Sequence, residues 1–253
     1  MKIVITAAAT ALLGLSSVAA QAADKVLIVV TSHSQMGNTA EQTGYWLSEV
    51  THPYKVLTDA GFSVDIASLA GGKAPADPRS LDSKDSVNQW FAENAVHQQK
   101  LEQSLKLSAL QPEEYDAVIF AGGHGTMWDF PSDQVLQQFA AALYERQGVV
   151  AAVCHGPAAL LNIRLSSGDL LIKGKKLTGF SNEEEQAVKL DQVVPFSLQD
   201  ELTSRGGLYS AAGLWQSNVV VDQRLVTGQN PQSAEEVGHA VSRLLRAAAL
   251  SSN

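Results

Sequence analysis

The sequence predicts an α/β domain built on a mostly parallel central sheet, and three observations carry that expectation. Short, continuously apolar runs recur along the chain, helical patterns alternate with them, and turn residues separate the two. The first run, Lys25 to Thr31 (KVLIVVT), is apolar and β-branched on both pleat faces, as a strand covered on both sides requires. Similar runs follow at Phe62 to Ala67, Ala117 to Gly122 and Val149 to Val153. Between the last two, Leu136, Phe139, Ala140 and Leu143 make one helical stripe after Pro131-Ser132-Asp133, with Gly148 as its stop. The final helix opens with Ser233 and Glu236 spaced as a capping box, then buries Val237, Ala240, Val241, Leu244 and Leu245. Two hairpin-like pairs suit a mixed-sheet edge: Leu170 to Thr178, turning at Lys173-Gly174-Lys175, and Val219 to Thr227, turning at Asp222-Gln223. The long polar segment from Gly71 to Glu114, with a helical pattern from Val87 to Leu105, reads as a small inserted cap over the strand ends. No repeat or linker divides residues 23–253, which read as a single domain.

Composition narrows the function classes. The 253 residues are 45% apolar and 17% charged with one cysteine, which excludes a disulfide scaffold, a disordered chain and a collagen-like chain. A formal charge of −8 leaves no basic footprint for phosphates, so no nucleic acid partner is expected. Lys2 is followed by an uncharged, Ala- and Leu-rich stretch closing on Ala20-Gln21-Ala22, the basic, apolar and small-residue parts of a secretory signal over residues 1–22. Cleavage there leaves 231 residues with a formal charge of −9 and no stable membrane association, in a periplasmic or secreted protein.

In open α/β sheets ligands bind beyond the carboxyl ends of the strands, so the residues after each run are the candidates for chemistry. The run Val149 to Val153 ends at Cys154-His155-Gly156-Pro157, where a helix begins almost at once. That is the pattern of a nucleophile elbow, with the helix N-terminus expected to lower the thiol pKa. The competing reading, a buried core cysteine, is outweighed by the strand end, the helix start and the adjacent histidine. His155 offers a base, and Glu183, Glu184 and Glu185 offer an orienting acid; spacing does not choose among the three. Gly122-Gly123-His124-Gly125 follows another strand and either presents N–H groups to an oxyanion or simply turns the chain. Ser32 to Thr39 is superficially similar to a flavodoxin phosphate loop. Glu49, in the apolar stretch Gly44 to Val50, is either a desolvated proton-exchanging carboxyl or a helix-surface residue. His52, His97 and His239 lack metal-ligand spacing, so no metal is expected, and Trp128, Tyr209 and Trp215 are expected in the core or on a pocket wall.

Together, Ala-Val-Cys154-His155-Gly-Pro, Gly122-Gly-His-Gly125, Gly44-Tyr-Trp-x-x-Glu49, Asp77-Pro78-x-Ser80 and Thr227-Gly-Gln-Asn-Pro231 resemble the DJ/PfpI superfamily, most of all its glyoxalase III and heat-shock chaperone branch. The resemblance implies a flavodoxin-like three-layer sandwich; a homodimer is expected by default, as symmetric pairs are the commonest assembly. It implies Cys154 as nucleophile, His155 as base, Glu185 as triad acid, by its place five residues after Phe180, and Glu49 as a protonated carboxyl beside the sulfur. Gly122, Gly123 and His124 fall at the oxyanion and substrate-binding positions. The implied reaction needs no cofactor: a small 2-oxoaldehyde such as methylglyoxal becomes a 2-hydroxy acid, D-lactate, through a hemithioacetal. Competing functions are a holdase chaperone or thiol stress sensor and a PfpI-like cysteine peptidase. A glutamine amidotransferase is disfavoured because its downstream His-x-Glu pair is missing, His239, the only late histidine, being followed by Ala240-Val241, and a flavodoxin-like electron carrier would need bound flavin. Intact-mass measurement of exported protein is expected to give a chain beginning at Ala23; a chain that retains Lys2 contradicts the signal reading.

Overall fold

The computed structural model describes residues 24–81 and 84–251, so the leader segment 1–22 lies outside the described residues. In chain order the elements are β1 (Lys25–Val30), α1 (Ser48–Asp59), β2 (Ser63–Ser68), α2 (Ser86–Ala92), α3 (Ala95–Glu102), β3 (Leu105–Lys106), β4 (Ala117–Phe120), α4 (Thr126–Asp129), α5 (Gln134–Glu145) and β5 (Val149–Val153). The second half adds β6 (Lys176–Leu177), α6 (Asn182–Ala187), α7 (Leu198–Ser204), β7 (Leu208–Tyr209), β8 (Val219–Asp222), β9 (Leu225–Gly228) and α8 (Ala234–Ser251). Seven strands form the main sheet in the order β3-β2-β1-β4-β5-β9-β8, parallel except for the β8–β9 pair.

The apolar runs become central strands because both faces are covered: Val26 to Val30, Ala117 to Phe120 and Val149 to Val153 are all buried. Right-handed crossovers require this layering. From β1 the chain steps through α1 to β2, toward one edge; from β4 it steps through α5 to β5, toward the other, so α1 and α5 cover opposite faces. Helix α8 packs on α1, where a side chain at Gly238 would meet the Pro53 backbone at 2.9 Å. The result is the flavodoxin-like three-layer α/β sandwich, with the strand order reversing between β1 and β4. Beyond that reversal the strand ends diverge and open a crevice. Among the described residues no helix is long and apolar enough to cross a membrane.

Several local expectations change in the fold. The stretch Leu170 to Thr178 is no hairpin: Leu170 bridges Arg164, and β6 pairs in parallel with β7 from a distant segment. The β8–β9 hairpin forms, but it turns at Gln223-Arg224, one residue later, with Gln223 in the left-handed region. The helix expected over Val87 to Leu105 breaks into α2 and α3, because Asn94 caps the second with bonds from the N–H groups of Val96 and His97. The same segment also supplies edge strand β3, so it extends the sheet as well as covering it. Ser233 does not cap α8; its hydroxyl donates to Asn230 and accepts from the Asn218 N–H, while Glu236 pairs with Arg243. The capping box lies instead at Ser181 and Glu184, at the start of α6.

Helix α5 begins as read, with Asp133 accepting from the Leu136 N–H at 2.8 Å. Its exit differs in one respect: Gln147, not Gly148, is the left-handed residue, at φ 73°. Gly148 is needed for closeness, because a Cβ there would lie 2.4 Å from Leu143 Cδ2. Relieving the left-handed strain with Gln147→Gly is expected to raise the unfolding free energy by about 1 kcal/mol in urea denaturation; a loss of stability contradicts this.

Candidate active site

Four segments meet at the crevice. Strand β5 delivers Cys154, whose N–H is held by the Gly228 carbonyl at 2.9 Å and whose carbonyl accepts from the Phe180 N–H at 2.8 Å. The chain reverses here with Cys154 at φ 58°, a strained conformation for a residue with a side chain. Gly156 makes the turn possible, since a Cβ there would sit 2.1 Å from the Phe120 carbonyl oxygen. The elbow leads into a short 3-10 turn, Gly156–Leu160, rather than the α-helix expected there. Segment Gly122 to Gly125 arrives from β4, the first turn of α1 supplies Glu49, and α6 supplies Glu185.

Because the backbone turns at Cys154, its side chain and that of His155 converge. Cys154 Sγ lies 3.3 Å from His155 Nδ1, and His155 Nε2 lies 2.7 Å from Glu185 Oε2. The other oxygen, Oε1, is 2.9 Å from His124 Nε2. Burial alone would raise the Glu185 pKa; the two imidazoles outweigh it and hold the carboxylate well below its usual range. His124 moves down to about 4, through burial first and then the neighbouring His155. Of the three glutamates the sequence left open, Glu183 is exposed, and Glu184 closes the capping box and accepts from Asn230 and the Trp215 N–H. Only Glu185 faces His155.

Glu49 is wholly buried, not on a helix surface. One oxygen, Oε2, accepts the Gly122 N–H at 2.7 Å, and burial pushes the carboxyl up to about 8. Oε1 has no hydrogen-bond partner among the described residues, and the carboxyl lies beside the Cys154 thiol. The Gly122 N–H is therefore taken, and an oxyanion would have to use its neighbours. Gly122 shapes the site instead, since a Cβ would lie 2.7 Å from both Glu49 Oε2 and the His155 backbone nitrogen. Gly123, at φ 101°, turns its N–H toward the sulfur.

The thiol departs from expectation. Burial raises the Cys154 pKa, and the charge of Glu49 raises it further whenever that carboxyl is ionised. A short 3-10 turn does not offset this. The pair tolerates one negative charge, so the sulfur can carry it only while Glu49 stays protonated.

Cys154, Gly123 and His124 border a cavity of about 490 Å³ whose walls include Trp46, Phe180 and Trp215. Trp215 thus lines the pocket, while Trp128 stacks on His33 and Tyr209 donates to the Gly179 carbonyl. The loop after β1 offers no phosphate cradle: the Ser32 N–H goes to Asp129 and the His33 N–H to the Thr31 hydroxyl. His124, His155 and Glu185 lie close enough to share a cation, with their ligating atoms within 4.8 Å of one another, but both Nε2 atoms already point at Glu185. His52 pairs with Asp85, His97 packs among Tyr54, Trp90 and Phe91, and His239 sits beside Glu235, so these three are dispersed. Sequence reasoning missed Arg79, held by buried Asp77 against His124; the Asp77-Pro78-x-Ser80 motif was its only trace.

A carboxyl whose folded pKa is raised binds its proton more tightly in the folded state. Its contribution to stability is complete below the ordinary carboxyl value and is lost as pH rises through about 8. Glu49→Gln is therefore expected to remove a pH-dependent loss on the order of a few kcal/mol between mildly acidic and alkaline urea titrations. Parallel pH dependence in the two proteins contradicts a neutral, buried Glu49.

Residues 41–244 match the DJ-1/PfpI family. Glyoxalase 3 of Candida albicans is 34% identical over 86% of this chain and 96% of its own, and the glutathione-independent glyoxalase HSP31 of Saccharomyces cerevisiae is 32% identical over 83% and 93%. Among solved structures, the 24 kDa rapid encystment protein of Francisella tularensis superposes with a TM-score of 0.85 at 45% identity, covering 88% of this chain and 99% of its own. Glyoxalase III from Candida albicans superposes at 0.82 with 32% identity, covering 87% and 97%. The chain belongs to the DJ-1/PfpI family, and it is similar to the family's fungal glutathione-independent glyoxalases.

Proposed function

We propose that this protein is a glutathione-independent glyoxalase that converts small 2-oxoaldehydes, with methylglyoxal as the type substrate, into 2-hydroxy acids. One observation carries the reading: a lone cysteine, held on a strained elbow at the floor of a small cavity, faces both the His155–Glu185 pair and a carboxyl group kept neutral by burial. The names of the fungal relatives support the same chemistry.

Each residue has a role in the proposed sequence. His155 takes the thiol proton as Cys154 Sγ bonds to the aldehyde carbon, and Glu185 stabilises the imidazolium that forms. The protonated Glu49 and the Gly123 N–H lie beside the sulfur, where they can meet the oxygen as its charge develops. The product is a hemithioacetal. His155, neutral again once its proton has passed to the hemithioacetal oxygen, takes the proton from the sulfur-bearing carbon while Glu49 gives one to the neighbouring carbonyl oxygen, forming an enediol. Return of the proton from His155 to the adjacent carbon, with Glu49 recovering its own from the hydroxyl of the sulfur-bearing carbon, gives the 2-hydroxy thioester. Oxidation of one carbon is balanced by reduction of the next, so no external electron acceptor takes part. Water then cleaves the thioester, freeing the acid and restoring the thiol. The Trp46 and Trp215 walls suit a small substrate better than a polypeptide, which weighs against the peptidase reading. Export and homodimer formation belong to the same proposal, on the leader sequence and on the prevalence of symmetric pairs.

Purified protein incubated with methylglyoxal and no glutathione is expected to form 2-hydroxy acid, with turnover abolished in Cys154→Ser and reduced about 100-fold or more in Glu49→Gln. Equal rates in wild type and Cys154→Ser contradict the function.

A further inference from the structure

One charged pair outside the cysteine, histidine and glutamate machinery, a buried Asp77 and a partly exposed Arg79, has no role in the chemistry above. Asp77 is fully buried although it is a carboxylate. It accepts from the Thr43 hydroxyl at 2.9 Å, from the Arg79 backbone N–H at 2.9 Å, and from the Arg79 side chain through Nε at 2.9 Å and Nη2 at 2.6 Å. The guanidinium is thereby fixed in a two-pronged grip, with Trp46 flanking it at 6.0 Å. Its Nη2 reaches a second partner, His124 Nδ1, at 3.2 Å.

The chemistry of that contact settles the state of His124. A guanidinium only donates, so the Nδ1 that it meets carries a lone pair. The remaining proton of the neutral ring is then on Nε2, which donates to Glu185 Oε1 at 2.9 Å. The second carboxylate oxygen is left to His155 at 2.7 Å. The groups facing Glu185 are His155 and His124, with Arg79 one step beyond; those facing His124 are His155, Glu185 and Arg79. The two imidazole rings lie only 4.0 Å apart, so an unconstrained His124 could turn, change tautomer or take a proton, and would compete with its neighbour for the same carboxylate. Burial and the nearby positive charges oppose protonation of His124, in keeping with this geometry.

We infer that Asp77, Arg79 and His124 form a positioning relay, which locks His124 as a neutral donor to one oxygen of Glu185 and reserves the other oxygen for His155. The relay acts on the sulfur through Glu185 and His155, although Arg79 and His124 also line the cavity. It rests on the proposed function only in assigning His155 as the base; its effect on the sulfur is measurable without any turnover.

The test is the rate at which iodoacetamide alkylates Cys154 at neutral pH, measured alongside methylglyoxal kinetics. Because Arg79 also lines the cavity, its effect is read at the sulfur: Arg79→Met is expected to slow alkylation and to lower kcat by about 10- to 100-fold, whatever its effect on KM. His124→Gln, whose single amide can accept from Arg79 and donate to Glu185, is expected to keep much more of both rates than His124→Phe. Wild-type alkylation in Arg79→Met overturns the relay, and so does a His124→Gln protein no faster than His124→Phe. The glutamine and phenylalanine pair decides the matter even if the Arg79 variant folds poorly. If the wild type fails to turn over methylglyoxal yet the alkylation rates follow the expected order, the glyoxalase assignment falls and the relay stands.

Discussion

Two acidic groups, the Cys154 thiol and the Glu49 carboxyl, are buried side by side with room for one negative charge between them. Each alone would resist ionisation in this environment, and each resists more when the other is charged. The carboxyl is the group whose neutrality matters, since an ionised Glu49 closes off the thiolate. The surrounding structure serves that condition: Gly122 donates to one carboxyl oxygen, the carboxyl lies beside the Cys154 thiol, and His155 Nδ1 lies 3.3 Å from the sulfur. In the proposed reaction the nucleophile is created during attack, not stored in advance by a helix dipole.

The fold makes the arrangement through close backbone approach more than through side-chain reach. The strand-to-turn reversal at Cys154 exists because Gly156 lets the chain pass against the end of β4, and Gly122 and Gly123 let the first turn of α1 come near enough to aim Glu49 inward. A side chain at any of these glycines would meet a backbone atom well inside contact distance. Strain at Cys154 is held by hydrogen bonds on both sides, with the last residue of β9 and with the segment before α6. The rigid sheet and the reactive turn are therefore one construction.

Much of this was legible in the residues, and the parts that were not have physical reasons. Doubly buried strands announce themselves by unbroken apolar runs, so β1, β2, β4 and β5 could be read with small shifts at their ends. The elbow showed itself in Cys154-His155-Gly156-Pro157, because a strand end, a tight turn and a ring that suits a helix start are local signals. Glu185 was indistinguishable by spacing from Glu183 and Glu184; only the resemblance favoured it, because facing His155 depends on where α6 docks. The false hairpin at Leu170 to Thr178 had good turn chemistry at Gly174, but its strand pairs with β7, about thirty residues on, and long-range pairing leaves no local mark. Arg79 was missed for the same reason: its partner Asp77 is close in sequence, whereas His124 is brought to it only by the sheet.

The most direct measurement is the protonation state of Glu49, read as the carbonyl stretch of a carboxylic acid in infrared difference spectra of wild type against Glu49→Gln. A neutral buried carboxyl gives a band at neutral pH that disappears as pH rises through about 8 and is missing from the variant. Spectra showing only carboxylate at mildly acidic and neutral pH would mean that the charge already sits on Glu49, leaving the neighbouring sulfur no means to ionise.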